Sequence, residues 1–224
     1  MVEKIALVNG SPKGEKSASR AILSLISRSL PEEQYALSYF SLKTPQVDSD
    51  IAEQILEHSI LLIAFPLYVD GVPSHMLRWL MELERTSRAA EGEKPVVYAL
   101  INCGFYEAEQ NRVVLEILRN WCAKSNFRWG QGMAIGAGGV IGGLQHVPLG
   151  KWPLRRLGQA MGVMGESIRG TETAPDIFVS PDFPRIAYKL VAEFGWRRSI
   201  RRNGLKLRDL HRRVPWAQNL PREM

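Results

Sequence analysis

Three strand-length runs in this chain carry almost no polar side chain on either face of the pleat: KIALVN at 4–9, SILLIAF at 59–65 and PVVYALI at 95–101. A strand with one wet face alternates apolar and polar residues. A strand that is apolar throughout needs cover on both sides, which is the situation of a central strand in a parallel sheet between two helix layers. Helix-period segments separate the runs, and that alternation is the βαβ rhythm of an α/β domain.

The pattern predicts strands over 4–9, 34–40, 59–65, 95–101 and 128–135, hence a five-stranded parallel sheet with helices on both faces. It predicts helices over 17–30, 50–57, 73–84, 109–125, 154–168 and 183–202. The helix over 17–30 sets Ala18, Ala21, Ile22, Leu25, Ile26 and Leu30 on one face, and that over 109–125 sets Val113, Val114, Ile117, Leu118, Trp121 and Cys122 in a stripe. Leu157, Met161, Met164 and Ile168 are in register on the next helix. The last, amphipathic helix closes at Asn203-Gly204 in the manner of a glycine C-cap. The chain reads as a single domain over 1–224, with a core over about 1–170 and a basic helical extension over about 183–224.

Composition excludes several classes. No segment approaches the ~20 apolar residues needed to span a bilayer. The amino terminus lacks a signal-peptide layout, so the protein reads as cytoplasmic with no membrane span. Two cysteines, Cys103 and Cys122, make neither a disulfide framework nor a zinc site, and His58, His75, His146 and His211 share no metal-ligand spacing. No metal is therefore expected. The net charge is +6, and from Arg185 onward eleven bases face three acids. The simplest reading of that run is a solvated helix face. Trp196 and Trp216 alone interrupt it as aromatics, which gives base stacking little support and argues against nucleic acid.

In an open parallel sheet, ligands bind outside the carboxyl ends of the strands, so the loops after strands one, three and four carry the chemistry. The first is NGSPKGEKSAS at 9–19. It leads into a helix whose free N–H groups and macrodipole favour a phosphate. Ser11, Ser17 and Ser19 add hydroxyls, and Lys13 or Lys16 adds positive charge. A plain βα turn with serine caps is the alternative, but the loop is longer and richer in donors than capping needs. Gly10, Lys16 and Ser17 fall at P-loop spacing, yet Glu15 stands where the second glycine belongs and Pro12 removes a cradle N–H. The stretch GAGGVIG at 136–142 resembles the dinucleotide fingerprint but has Ile141 at its last glycine position and comes too late to open the first βα unit. The second loop, PLYVDGVP at 66–73, is bounded by prolines and offers Tyr68 to a flat ring. The third, NCGFYE at 102–107, offers Gly104 for close approach and Phe105 and Tyr106 as aromatic surface, with Cys103 as a small packing residue.

Taken together, NGSPKGEKSAS, FPLYVDGVPSHML and INCGFYEAEQN resemble the flavodoxin-like NAD(P)H-dependent FMN reductase family over residues 1–135. The resemblance implies a flavodoxin-like three-layer fold, to which residues beyond about 154 add extra C-terminal helices. It implies that Ser11, Lys13, Ser17, Ala18 and Ser19 hold the FMN phosphate. It implies that Pro66, Leu67, Tyr68 and Val69 flank the flavin ring, and that Asn102, Cys103, Gly104, Phe105 and Tyr106 meet its pyrimidine side. It implies NAD(P)H as co-substrate, a small-molecule electron acceptor such as a quinone or flavin, and a homodimer whose second subunit helps to close the site. No side chain need act as acid or base, since the flavin carries the chemistry. Two alternatives stand beside it. One is a flavodoxin-type electron carrier without a nicotinamide site, disfavoured because such carriers are usually acidic and this chain is basic. The other is a non-enzymatic binding module that uses the basic tail.

Overall fold

The computed structural model describes residues 2–211 except Glu32, Pro45, Val47, Gly142, Gln145 and His146. The chain forms two compact units, one ending at Asp182 and one beginning at Phe183.

In the first unit the elements run β1 (Glu3–Asn9), α1 (Ala18–Ser27), β2 (Tyr35–Ser41), α2 (Ser49–Leu56), β3 (Ile60–Pro66), α3 (Ser74–Ala89), β4 (Val96–Asn102), α4 (Arg112–Ser125), β5 (Arg128–Ile135), α5 (Gly138–Ile141), α6 (Arg155–Arg169) and β6 (Ile177–Val179). All strands pair in parallel, in the order β2-β1-β3-β4-β5-β6. The order reverses between β1 and β3, which is the switch point of a flavodoxin-like sheet.

The apolar runs are explained by two cores. Ile5, Leu7, Leu62, Ala64, Tyr98 and Leu100 face one side, where they pack with α1 and α6. Ala6, Val8, Leu61, Ile63, Val97, Ala99 and Ile101 face the other, with α2, α3 and α4. Each strand feeds both layers by its period of two, so neither face tolerates a polar residue. β2 lies at the edge and is half-exposed along its length.

Six strands stand where five were expected. β6 is only Ile-Phe-Val, too short and too closely bounded by Pro175 and Pro181 to show a period. Its place is set by contacts of the preceding segment with β5. Ala174 N–H donates to Gly130 O at 2.9 Å, Gln131 Nε2 to Pro175 O at 2.7 Å, and Gly132 N–H to Asp176 Oδ1 at 2.9 Å.

The stripe on α4 is also rotated from the expected one. Val114, Leu115, Leu118 and Cys122 are buried, whereas Val113 and Ile117 are exposed. Six apolar positions made too wide a stripe, and packing on β4 and β5 selects one side of it. On α6, by contrast, Leu157, Met161, Met164 and Ile168 are all buried as expected.

The second unit contains α7 (Arg185–Arg202), which follows Pro184 and ends at Asn203 with Gly204 at φ +73°. Leu205 N–H donates to Ile200 O at 3.1 Å, which closes the helix as the Asn-Gly pair suggests. None of its residues is buried, and the amphipathic helix expected from the sequence is not found: the side that carries Ile186, Leu190 and Phe194 early in the helix carries Arg197 and Arg201 later, so no apolar face runs its length. A short 3₁₀ turn follows at Leu207–His211. The tail residues Arg212, Arg213, Trp216 and Arg222 lie outside the described residues.

Candidate functional site

β1 ends at Asn9, and this side chain organises the loop that follows. It is 2% exposed. Its Oδ1 accepts the Ser11 N–H at 3.1 Å, and its Nδ2 donates to Gly14 O at 3.0 Å. Gly14 sits at φ +58°, a conformation open to glycine at little cost. Gly10 is fixed from three sides. Its N–H donates to Ala64 O on β3 at 2.8 Å, and its carbonyl accepts from His75 Nε2 on α3 at 2.9 Å. A Cβ on it would lie 2.2 Å from Met76 Sδ.

The three serines of the loop differ in their engagement. Ser17 is the N-cap of α1: its Oγ accepts the Arg20 N–H at 3.1 Å and gives its own proton to Gly14 O at 2.6 Å. Ser11 Oγ accepts from Lys13 N–H at 3.4 Å, and Ser19 Oγ accepts from Asn102 Nδ2 at 2.9 Å. A hydroxyl that accepts still has a proton to give, so Ser11 and Ser19 retain a donor while the Ser17 proton is committed. The N–H groups of the first turn of α1 have no intrahelical acceptor, and they carry the positive end of its dipole. Glu15, at the position that breaks the P-loop pattern, pairs with Arg20 at 2.8 Å.

The loop after β3 is a tight turn. Tyr68 and Gly71 exchange hydrogen bonds of 3.2 and 3.0 Å, with Val69 at φ +47° and Asp70 at φ +56°. Positive φ at both central residues defines a type I′ turn, which favours asparagine and glycine; a β-branched residue there is strained. Val69 is fully exposed, and Tyr68 is exposed beside it.

The loop after β4 is tied inward. Asn102 Nδ2 bridges Ser19 Oγ and the Phe65 carbonyl, at 2.9 and 3.2 Å, and so joins β4, β3 and α1. Cys103 is buried, accepts a 3.3 Å hydrogen bond from Asn111 Nδ2, and has its thiol pushed above the ordinary range by burial. A protonated, buried thiol is a packing group rather than a nucleophile. The glycine-rich segment packs against this loop: Ala137 N–H donates to Phe105 O at 2.6 Å and Gly138 N–H to Cys103 O at 2.8 Å.

These loops enclose one cavity of about 200 Å³ at the carboxyl edge of the sheet. Its lining is Ser11, Lys13, Ser17, Ala18, Ser19, Pro66, Leu67, Tyr68, Asn102, Cys103, Gly104 and Gly139. Of the residues expected from the sequence to meet the ligand, Lys16, Val69, Phe105 and Tyr106 do not line it. Phe105 is exposed next to the lining residue Gly104.

Gly139, Asn9 and His75 were not foreseen. Asn9 had a signal, since an asparagine ahead of Gly-Ser at a strand end favours an Asx turn. His75 had none, because its partner Gly10 lies 65 residues away. Two larger hollows, of about 650 and 800 Å³, lie beside β2 and at the amino ends of the strands. Neither is at the carboxyl edge, where this sheet topology places ligands. Among the described residues, no three His, Cys, Asp or Glu side chains converge as metal ligands.

No family model matches the sequence, and a search of curated proteins gives no match. Solved structures do match. An NAD(P)H:quinone oxidoreductase from Methanothermobacter marburgensis is 12% identical, with 75% of this chain and 96% of that chain covered and a TM-score of 0.54. An NADPH-quinone reductase from P. pentosaceus is 12% identical, over 75% of this chain and 97% of that one, at a TM-score of 0.52. An oxidoreductase from Corynebacterium diphtheriae is 14% identical, over 75% and 98%, at 0.51. Identity at this level speaks to architecture, and there it agrees with the resemblance read from the loop motifs: this chain has the flavodoxin-like fold that these three proteins share.

Proposed function

We propose that the protein is an FMN-dependent oxidoreductase of the flavodoxin-like NAD(P)H-dependent reductase family, passing hydride from NAD(P)H to an acceptor such as a quinone. The observation that carries this is the convergence of the loops after β1, β3 and β4 on one cavity that opens onto the first turn of α1. The donor set suits a phosphate monoester: the N–H groups of α1, the hydroxyls of Ser11 and Ser19, and the ammonium of Lys13. At about 200 Å³ the cavity is smaller than the ~300–1,000 Å³ pockets that enclose whole ligands. Ser11, Lys13, Ser17, Ala18 and Ser19 would hold the phosphate end, and Pro66, Leu67, Tyr68 and Gly104 would border the flat ring.

FMN, when bound, supplies the hydride chemistry. The chain's own part is to anchor and orient. Asn9 and Ser17 hold the loop after β1 in shape, Asn102 fixes Ser19 from across the sheet, and the Tyr68–Gly71 turn would border the ring. Exposed Tyr68 and Phe105 leave an apolar approach for a nicotinamide or a quinone. A separate observation supports the homodimer reading. Leu77 and Met81 on α3 and Val113 and Ile117 on the adjacent α4 are exposed apolar residues on one side of the sheet.

One observation favours a second reading. The first unit carries 18 lysines and arginines against 20 aspartates and glutamates, a net charge of −2, so the positive charge of the chain resides in the second unit. The basic character that disfavoured a flavodoxin-type electron carrier is therefore absent from the flavin-binding unit. Titration of the purified chain with FMN, followed by NADH and NADPH oxidation with a soluble quinone, separates the readings. Binding with steady turnover is the expected result. Binding without nicotinamide oxidation leaves the carrier, and no FMN binding overturns both.

A further inference from the structure

We propose that α7 docks the protein on an anionic lipid bilayer. The helix has two halves on one stripe. Ile186, Leu190 and Phe194 follow one another at four-residue spacing and are exposed, with Val191 beside them. The stripe then continues through Arg197 and Arg201, flanked by Arg198 and Arg202. Phe194 is 69% exposed and Trp196 is 73% exposed. This stripe is thus apolar over the first three turns and basic over the last two, whereas Trp196, two residues and about 200° on from Phe194, lies on the other side of the helix.

Charge complementarity selects the partner. Residues 183–224 hold 11 bases against 3 acids, a net charge of +8 in a chain whose remaining residues sum to −2. Of the described acids in this unit, Glu193 pairs with Arg197 at 3.5 Å and Asp209 accepts the Lys206 N–H at 2.7 Å. A basic cluster in line with exposed Phe and aliphatic side chains matches the boundary between phosphate headgroups and acyl chains: arginines meet the phosphates while Phe194 and its neighbours enter the apolar layer. Nucleic acid would satisfy the arginines but leave the aliphatic half in water. No helix among the described residues is long and apolar enough to cross a membrane, so the contact is peripheral. A bilayer also dissolves lipophilic quinones, the acceptor class proposed above, although the docking itself rests only on α7.

The test is co-sedimentation of the full-length protein with vesicles of equal parts phosphatidylserine and phosphatidylcholine, against vesicles of phosphatidylcholine alone, at low and high salt. Binding to the anionic vesicles, weakened by salt, is expected. Each arginine near an anionic surface strengthens partition by roughly fivefold, so replacing Arg197, Arg198, Arg201 and Arg202 with glutamine lowers it by roughly several hundredfold. Leu190→Ser with Phe194→Ser lowers it independently. All six positions are exposed, so both variants keep the fold, which circular dichroism checks. Equal partition onto both vesicle types, no partition onto either, an unchanged quadruple variant, or binding of duplex DNA in place of vesicles would each overturn the proposal.

Discussion

Replacing Asn9 by alanine isolates the side chain on which the loop after β1 hangs. Asn9 is buried and makes two short hydrogen bonds, one accepted from Ser11 N–H at 3.1 Å and one donated to Gly14 O at 3.0 Å. Each contributes about 1 kcal/mol net. Gly14 O keeps other donors, Ser17 Oγ at 2.6 Å and Ser17 N–H at 3.1 Å, so its loss is mild. The Ser11 N–H is left without its acceptor beside a buried side chain, which adds about 1–2 kcal/mol. The expected destabilisation is therefore about 3 kcal/mol. For a protein of this size, that lowers Tm by roughly 6–12 °C. Urea unfolding followed by tryptophan fluorescence measures the first quantity, and FMN titration measures the second effect, a loss of affinity as Ser11 and Gly14 lose their fixed geometry. Asn9→Asp is the companion variant: it keeps the acceptor for Ser11 but turns an oxygen toward Gly14 O, so it too weakens FMN binding. A change below about 1 kcal/mol with FMN affinity intact would refute the idea that Asn9 holds the loop.

Ser11→Ala and Ser19→Ala are expected to weaken FMN binding with little change in the unfolding midpoint. Ser17→Ala should chiefly cost about 1 kcal/mol as a lost helix cap; the opposite assignment in paired titration and melting experiments would show that the committed proton of Ser17 is the one that matters. At the Tyr68–Gly71 turn, Val69→Asn with Asp70→Gly installs the residues a type I′ turn prefers and should raise stability by about 1–3 kcal/mol in thermal melts. A lower melting temperature would contradict the strain inferred from φ at Val69. At alkaline pH, burial pushes the Tyr98 hydroxyl from 10.0 up to about 12, and the Cys122 thiol from 9.0 up to about 12. Both groups hold their protons more tightly when folded. Stability is thus complete below pH ~9 and is lost, by a few kcal/mol, as pH rises toward ~12. Tyr98→Phe should flatten part of this loss while costing about 1–3 kcal/mol at neutral pH, because the Glu172 carbonyl loses the hydroxyl it accepts from and the Ser167 carbonyl keeps only the Glu172 N–H; urea midpoints that stay level from pH 8 to 11 in the parent protein would rule the linkage out.

What the sequence determined by itself was everything encoded within one element. Runs apolar on both faces announced central parallel strands, since burial on two sides leaves no polar position in a period of two. The step from strand to helix at NGSPKGEKSAS marked the start of α1 and its serine cap, because the free N–H groups of a helix start are a local property. The register of Leu157, Met161, Met164 and Ile168 fixed the buried face of α6 for the same reason.

Tertiary structure decided what depends on partners remote along the chain. The side of α4 that enters the core was chosen by β4 and β5, so Val113 and Ile117 are exposed while Leu115 is buried. β6 exists because Gln131 and the β5 backbone bind the segment around Pro175, a contact spanning about forty residues that no local pattern foreshadows. His75 on Gly10, Asn102 on Ser19, and Gly139 in the cavity wall arise in the same way. Periodicity records how each residue meets water, whereas these positions are set by which backbone or side-chain group arrives opposite them once the sheet is assembled.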